Sequence, residues 1–237
     1  MNIAIIGYGK MGQIIERIAI ERGHQITLKI TTKNATDLNA TNLKNIDVAI
    51  EFTNPENAIN SINSCLENNV PIVVGTTGWY HHFDAVIQKC TENEGTLLHA
   101  TNCSIGVNLF FKLNEQLAKL MNNHPNYDVK IDETHHTQKL DKPSGTAITL
   151  AQGIITNLDA KNKWSISPST NKNELLIDVH RIENVPGTHQ VTYSSAIDTI
   201  EVKHTAHNRE GFALGAVIAA EFIHNKKGIY TMQDVLC

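Results

Sequence analysis

Asn2-Ile3-Ala4-Ile5-Ile6-Gly7-Tyr8-Gly9-Lys10-Met11-Gly12 is the stretch whose reading decides the fold. Asn2 to Ile6 is a short apolar run, the pattern of a strand buried on both faces of a parallel sheet. Ile14, Ile15, Ile18 and Ala19 follow at helical spacing. The glycines between them form G-x-G-x-x-G in the strand-to-helix setting that a dinucleotide pyrophosphate requires. Gly7 permits the tight turn, Gly9 lets the backbone approach a phosphate, and Gly12 lets helix and strand pack closely. Tyr8, Lys10 and Met11 lie inside the same loop and are counted with the glycines as cofactor-binding. A glycine-rich turn without a ligand is the blander reading. The position of this loop at the head of a β-α-β pattern weighs against it.

Working outward, Gln25 to Ile30 reads as a second strand. An acid about 20 residues beyond the glycines would bind the ribose 2′-hydroxyl of NAD. Thr31, Thr32 and Lys33 stand there instead. No carboxylate repels a 2′-phosphate and Lys33 can attract one, which leans towards NADPH over NADH; a surface lysine after a strand is also common. Val48 to Phe52 is a third apolar run, and Asn54 with Pro55 starts a helix as N-cap and first helical residue. Ala58, Ile59, Ile62, Cys65 and Leu66 give that helix its apolar face. Pro71 to Val74 and Gly95 to His99 are further strands, and Phe83, Val86, Ile87 and Cys90 a helical stripe between them. The loops after these strands, Gly75-Thr76-Thr77-Gly78 and Thr101-Asn102-Cys103-Ser104, lie where ligands bind in open α/β sheets, at the carboxyl ends of strands.

A second stretch carries chemistry: Glu133-Thr-His135-His136-Thr-Gln-Lys139-Leu-Asp141-Lys-Pro143-Ser144-Gly145-Thr146-Ala147. Histidine titrates near working pH and can donate or accept a proton. Lys139 supplies a compact positive charge. Ser144, Gly145 and Thr146 precede the helical pattern Leu150, Ile154, Leu158, and a helix start offers backbone N–H groups and a positive dipole end to an anion. Singly, each of these features is more often an ordinary loop residue or helix start. Together within fifteen residues they favour proton transfer beside an anion site.

This block closely resembles the signature of the 4-hydroxy-tetrahydrodipicolinate reductase (dihydrodipicolinate reductase) family of bacterial lysine and diaminopimelate synthesis. Gly7 to Gly12, Asp47 to Thr53, Gly75 to Gly78 and Asn102-Cys103-Ser104-Ile105-Gly106-Val107-Asn108 resemble successive family blocks. The resemblance covers nearly the whole chain and is weakest from Lys161 to Asn173. It implies that Gly75, Thr76, Thr77, Thr101, Asn102, Cys103 and Ser104 join the glycine loop in holding NADPH or NADH, with Arg209 and Phe212 close by. It further implies that His135 and Lys139 serve as acid or base, while His136, Lys139, Gly145 and Thr146 hold the two carboxylates of the substrate. The implied reaction is reduction of the cyclic imine formed by dehydration of 4-hydroxy-tetrahydrodipicolinate, in a homotetramer. Cys103 departs from the aromatic or bulky residue usual in the family, which bears on the shape of the nicotinamide pocket.

The second half changes pattern. Leu109, Leu113, Leu117 and Leu120 suggest a long amphipathic helix, and Tyr127 to Thr134 a strand leading into the His-His motif. Leu175 to Ile182, His189 to Ser195 and Thr199 to Thr205 alternate as strands of a mixed or antiparallel sheet. Asn157 to Asn173, polar and containing Pro168, reads as an exposed loop. A last helix carries Phe212, Leu214, Val217, Ile218 and Phe222 and is expected to end near Gly228 as a C-cap. The expected fold class is α/β. A Rossmann-type dinucleotide-binding domain (1–104 and 208–237) is joined to an α+β substrate domain with a mixed open sheet (105–207), which also carries oligomerisation. Closure of the two domains is expected to exclude water from the hydride path.

The 237 residues, 41% hydrophobic and 19% charged with net charge −4, describe a globular chain and argue against nucleic-acid binding, which favours a basic surface. Cys65, Cys90, Cys103 and Cys237 show no C-x-x-C spacing and read as reduced thiols. His180, His189, His204 and His207 lack metal-ligand spacing and read as structural or exposed, so no metal is expected. With neither a signal segment nor a membrane-length apolar run, a cytoplasmic protein is expected, acting on a small dicarboxylate with no nucleic-acid or membrane partner. Two rivals remain. Another two-domain dehydrogenase would share the glycine loop but not His-His-x-x-Lys followed by Ser-Gly-Thr. A non-enzymatic nucleotide-binding regulator would have no reason to keep a proton donor beside an anion site.

Overall fold

A computed structural model describes residues 1–236. In chain order the elements begin with β1 (Asn2–Ile6), α1 (Lys10–Glu21), β2 (Gln25–Ile30), α2 (Ala40–Leu43) and β3 (Val48–Glu51). They continue with α3 (Pro55–Glu67), β4 (Ile72–Val74), α4 (Phe83–Glu92), β5 (Thr96–His99) and α5 (Ile105–Met121). Next come β6 (Asp128–His135), α6 (Gly145–Asn157), β7 (Lys163–Ser165), β8 (Glu174–Arg181), β9 (Gly187–Ser194) and β10 (Thr199–Ala206). The chain closes with α7 (Glu210–Ile223), β11 (Gly228–Tyr230) and α8 (Met232–Val235). It divides into two compact units, Met1–Ile105 with Arg209–Cys237, and Gly106–Asn208.

The first unit is a Rossmann-like α/β layer structure. Among the described residues its sheet has six parallel strands in the order β11-β5-β4-β3-β1-β2. The apolar runs read from the sequence are buried on both faces, as Ile3, Ile5, Val48, Ile50, Val73 and Leu98 pack against one set of helices while Ala4, Ile6, Ala49, Ile72, Val74 and Leu97 pack against the other. Asn54 accepts from Asn57 N as N-cap of α3, with Pro55 in the first turn, as its local sequence dictates. Cys65 and Cys90 are core residues. The last helix corrects the expectation made for it. α7 ends at Ile223, and Asn225 takes the left-handed conformation (φ 63°) that was expected of Gly228. Gly228 instead opens β11, a short strand at the sheet edge beside β5.

The second unit has a mixed sheet in the order β10-β9-β6-β8-β7, with β8 parallel to β6 and β7, and β9 antiparallel to β6 and β10. α5 and α6 cover one face, where Val129, Ile131, Leu175, Ile177, Val191 and Tyr193 meet Phe110, Phe111, Leu150 and Ile154. The helices approach at Gly153, where a Cβ would meet Asn114 and Glu115 at 3.3 and 3.2 Å, and Asn114 donates to the carbonyl of Leu150 at 3.0 Å.

Two expectations for this unit need correction. α5 is a long helix, but Leu109, Leu113 and Leu120 are 52%, 52% and 66% exposed. The buried face is Val107, Asn108, Phe110, Phe111, Asn114, Ala118 and Met121, because two large rings and a helix-to-helix hydrogen bond outweigh a leucine spacing that matches helical periodicity equally well. The segment 157–173 is not wholly loop. β7 pairs with β8, and Lys161 is buried, its ammonium donating to the carbonyls of Lys172 and Glu174 and pairing with Asp128 at 2.7 Å. Among the described residues no helix is long and apolar enough to cross a membrane.

Candidate active site

In the first unit the glycine loop is built as its sequence requires. Gly7 has φ +97°, and a Cβ there would lie 2.1 Å from the carbonyl oxygen of Phe52. The N–H groups of Gly7 and Tyr8 both donate to Ile30 O, tying the loop to the end of β2. At Gly12 a Cβ would come within 2.6 Å of Gly7 O, so the helix packs onto the loop itself. Gly9 is the N-cap of α1 and makes no side-chain cap, with open space around it. A helix start without a side-chain cap and without crowding suits a pyrophosphate.

Around this loop lies a groove of about 520 Å³ lined by Ile6, Gly7, Gly9, Thr31, Phe52 and Asn54, among others. A second groove of about 390 Å³ is lined by Met11, Phe52, Thr53, Gly75, Thr76 and Thr77. These residues fit a dinucleotide, by the open backbone at Gly9 and the grooves on either side of Phe52. Tyr8 is tied to Glu16, with Lys29 4.7 Å above its ring. Lys10 and Lys33 are exposed, Lys33 on the turn that Asn34 braces by accepting from Thr31 N.

One residue in this region escaped the sequence reading. Glu51, at the end of β3, is fully buried. It accepts from Thr53 N at 2.7 Å and from the Thr76 hydroxyl at 2.9 Å. Burial pushes its carboxyl above the ordinary range, against those hydrogen bonds. The Thr76 hydroxyl, which also accepts from Thr53 N at 2.8 Å, is thereby committed to holding the loop. Asn102 braces the next loop by accepting from Ser104 N at 2.9 Å. The Cys103 side chain is buried in the core cluster and its thiol is pushed up to about 12 by burial. At Gly215 a Cβ would lie 1.8 Å from Cys103 O, so α7 packs directly on this loop. Arg209 precedes α7 and is exposed, and Phe212 is half-buried in its first turn.

In the second unit the period of two along β6 places Val129, Ile131, Glu133 and His135 on the helix-covered face. His135 ends the strand and is not part of the following loop. Sheet register completes the cluster. His189 on β9 stands opposite Glu133, and Arg181 on β8 stands opposite His135. Glu133 accepts from Ser144 N at 3.1 and 3.0 Å, from the Ser144 hydroxyl, and from Arg181 at 3.3 and 3.2 Å. Arg181 also donates to the carbonyls of Lys139 and Asp141, at 3.4 and 2.6 Å, and so holds the loop that carries Lys139. Ser144 is the N-cap of α6, accepting from Ala147 N, and its hydroxyl lies 3.0 Å from His189 Nε2.

Burial pushes Glu133 up, but hydrogen bonds from His189 and Ser144 and the nearby His135 outweigh it and bring the carboxyl down to about 2. Burial, reinforced by His189, Lys139 and Arg181 and opposed by Glu133, brings His135 down to about 4. Thus His135, His136, Lys139, Gly145 and Thr146 fall in one neighbourhood of one unit, tied together through Glu133, Arg181 and His189 by hydrogen bonds and sheet register. Alternation from Val129 would have put Glu133 on the buried face. The parts of Arg181 and His189 depend on strand register, which single-strand patterns do not carry.

Residues 1–103 match the family described as dihydrodipicolinate reductase, N-terminus, and residues 106–236 match dihydrodipicolinate reductase, C-terminus. The chain belongs to the dihydrodipicolinate reductase family. It is 47% identical to the 4-hydroxy-tetrahydrodipicolinate reductase of Christiangramia forsetii over 238 residues, covering 100% of this chain and 98% of that one. It is 34% identical to the enzyme of the same name from Alkaliphilus metalliredigens, covering 100% and 99%. Among solved structures, a dipicolinate-bound dihydrodipicolinate reductase from Paenisporosarcina sp. TG-14 shares the fold, with TM-score 0.78 and 24% identity, covering 98% of this chain and 97% of that one. As in the rest of the dihydrodipicolinate reductase family, the activity is that of an NAD(P)H-dependent oxidoreductase, and the chain carries an N-terminal dinucleotide-binding domain.

Proposed function

We propose that this chain reduces the dehydrated form of 4-hydroxy-tetrahydrodipicolinate to tetrahydrodipicolinate. The family match over both parts of the chain carries this reading. When bound, the reduced nicotinamide supplies the hydride. Gly7, Gly9 and the first turn of α1 hold its pyrophosphate. Gly75 to Thr77 and Thr101 to Ser104, with Arg209 and Phe212, hold its nicotinamide end; Cys103 acts there through its backbone, since its side chain is in the core. Lys33 and the absence of an acid at residues 31–33, directly after β2, favour use of NADPH at least as well as NADH.

His136, Lys139, Gly145 and Thr146 hold the two substrate carboxylates, and His135 and Lys139 are the acids available to meet the electron density that hydride addition creates. A pyridine dicarboxylate in the Paenisporosarcina protein supports a dicarboxylate site of this kind. Positioning donor and acceptor removes an entropic barrier and is the main catalytic contribution. The face of the second sheet opposite α5 and α6 is polar and largely exposed on β10, and suits pairing of subunits into a homotetramer, which sedimentation analysis would read directly.

The test is an assay of the purified chain with substrate generated in place by the preceding synthase, with NADPH or NADH. Oxidation of the cofactor that depends on the synthase product is expected. Turnover of a sugar or simple aldehyde instead, or cofactor binding without turnover, would overturn the reading.

A further inference from the structure

The two oxygens of Glu133 are not equivalent. Oε1 faces Arg181, and both oxygens share Ser144 N. Oε2 receives the Ser144 hydroxyl and lies between two histidines, 3.6 Å from Nε2 of His189, which Ser144 also engages, and 3.7 Å from Nδ1 of His135. That nitrogen is buried and has no hydrogen-bond partner among the described residues. The other ring nitrogen, Nε2, adjoins Gly187, where a Cβ would stand 3.1 Å away. A protonated imidazole has two N–H groups to place. One of them here faces a buried carboxylate 3.7 Å away, a gap that protonation of the ring would close, and the other has room because residue 187 lacks a side chain.

We propose that Glu133 is a positioning carboxylate for His135. It accepts the Nδ1–H of the protonated ring, so that Nε2, beside Gly187, is the nitrogen that delivers the proton to substrate. This rests on the reading of His135 as the acid. Hydride addition places an electron pair on the conjugated imine, and that pair takes the proton from Nε2. The electrons of the broken N–H bond stay on the ring, His135 leaves the step neutral, and a proton from water restores it. Arg181, Ser144 and His189 face the remaining acceptor positions and keep Glu133 ionised. Glu133, His135 and His189 are close enough together to suggest a metal site, but the guanidinium of Arg181 on Glu133 already supplies the positive charge and would repel a cation.

The groups facing His135 are Glu133 on its own strand, His189 on β9, Arg181 on β8 and Lys139 in the following loop. Burial and the last three favour the neutral ring, so the unliganded chain holds His135 uncharged at neutral pH. A dianionic ligand reverses that balance, and Glu133 is the fixed charge that keeps the incoming proton on the ring. Ligand binding and proton uptake are therefore linked.

Calorimetry of pyridine-2,6-dicarboxylate binding to the NADPH-loaded chain, in buffers of different ionisation enthalpy at about pH 7.5, reads that uptake. Wild type is expected to take up about one proton per ligand. Glu133→Gln should lose at least half of it and lose turnover on the order of 10²-fold, with NADPH affinity unchanged. Gly187→Ala leaves Glu133 and its partners in place and crowds only the Nε2–Cδ2 edge of the His135 ring. It should lower kcat about fivefold or more with proton uptake retained, and it decides the matter if Glu133→Gln does not fold. Wild-type binding without proton uptake, wild-type behaviour of Glu133→Gln, or full kcat in Gly187→Ala would each overturn the pairing while leaving the proposed reaction standing. A wild-type chain that does not turn over the synthase product overturns both.

Discussion

Lys139 Nζ lies 2.9 Å from Asp141 Oδ1. The ammonium assigned to a substrate carboxylate is thus already engaged by a neighbour two residues on. Asp141 is more than half exposed, so the pair is weak and exchangeable, worth about 0.2–1 kcal/mol. Asp141→Asn removes the competitor. Calorimetry should show pyridine-2,6-dicarboxylate binding up to a few-fold more tightly to this variant. Weaker binding would mean that Asp141 orients Lys139 for the ligand.

His135→Ala and Lys139→Ala should lower kcat on the order of 10²–10⁴-fold, the usual loss when a general acid is removed. Both residues belong to the second unit, whereas the glycine loop belongs to the first. NADPH affinity, measured by fluorescence titration, should therefore stay near wild type. Near-normal turnover in both variants would place the proton donor elsewhere.

Lys33→Glu puts a negative charge on the turn after β2, whose Thr31 and Thr32 line the larger groove. It should raise KM for NADPH more than for NADH. A strong wild-type preference for NADH in steady-state kinetics would contradict the reading of this turn.

Gly145→Pro removes a backbone donor at the first residue of α6 and should weaken pyridine-2,6-dicarboxylate severely. Thr146→Val keeps the backbone N–H and the side-chain shape but removes a hydroxyl, and should weaken it modestly. Equal affinity of both variants and wild type in calorimetry would reject an anion site at this helix start.

Acid should loosen the second unit in two stages. Glu133 is lowered from 4.5 to about 2, so its stabilisation is present above 4.5 and is lost as pH falls through 2. His135 is lowered from 6.5 to about 4 and is held neutral, so its contribution is present above 6.5 and is lost as pH falls towards 4. Glu51, in the other unit, is raised by burial and works in the opposite direction, its stabilisation being lost as pH rises above 4.5. Hydrogen exchange in β6 and α6 should therefore speed up progressively below pH 6.5, after correction for intrinsic rates. Unchanged protection in those elements down to pH 4 would contradict the burial of a neutral His135.

What was legible in the sequence was local. Apolar runs marked β1 and β3, the Asn54 cap with Pro55 marked the start of α3, and Ser144-Gly145-Thr146 ahead of an apolar stripe marked the start of α6, because a few adjacent residues decide them. The His-His-x-x-Lys and Ser-Gly-Thr segments of the site lie in one contiguous block and could be read together. β11 was not legible, since Gly228–Tyr230 has no apolar run and is a strand only because β5 is beside it. The buried face of α5 followed its partners and not its leucines. Lys161 looked like one more polar residue in a polar segment, until the carbonyls of Lys172 and Glu174 closed around its ammonium. The pairing of Glu133 with His189 and of His135 with Arg181 is a property of register, settled by strands more than forty residues apart in the chain.

Phe52 touches two glycines with different parts of itself. Its carbonyl fills the place of a Cβ at Gly7, and its ring fills the place of a Cβ at Gly75, each at 2.1 Å. The obstacle at Gly7 is main chain, so no substitution at 52 can relieve it, and that glycine is locked whatever its neighbours become. The obstacle at Gly75 is a side chain. An alanine at 75 that is ruinous alone becomes tolerable once residue 52 shrinks, so the two positions can drift only as a pair. The two loops therefore differ in evolutionary freedom: one is held by geometry that admits no partner change, the other by a bargain between two side chains that a double substitution can renegotiate.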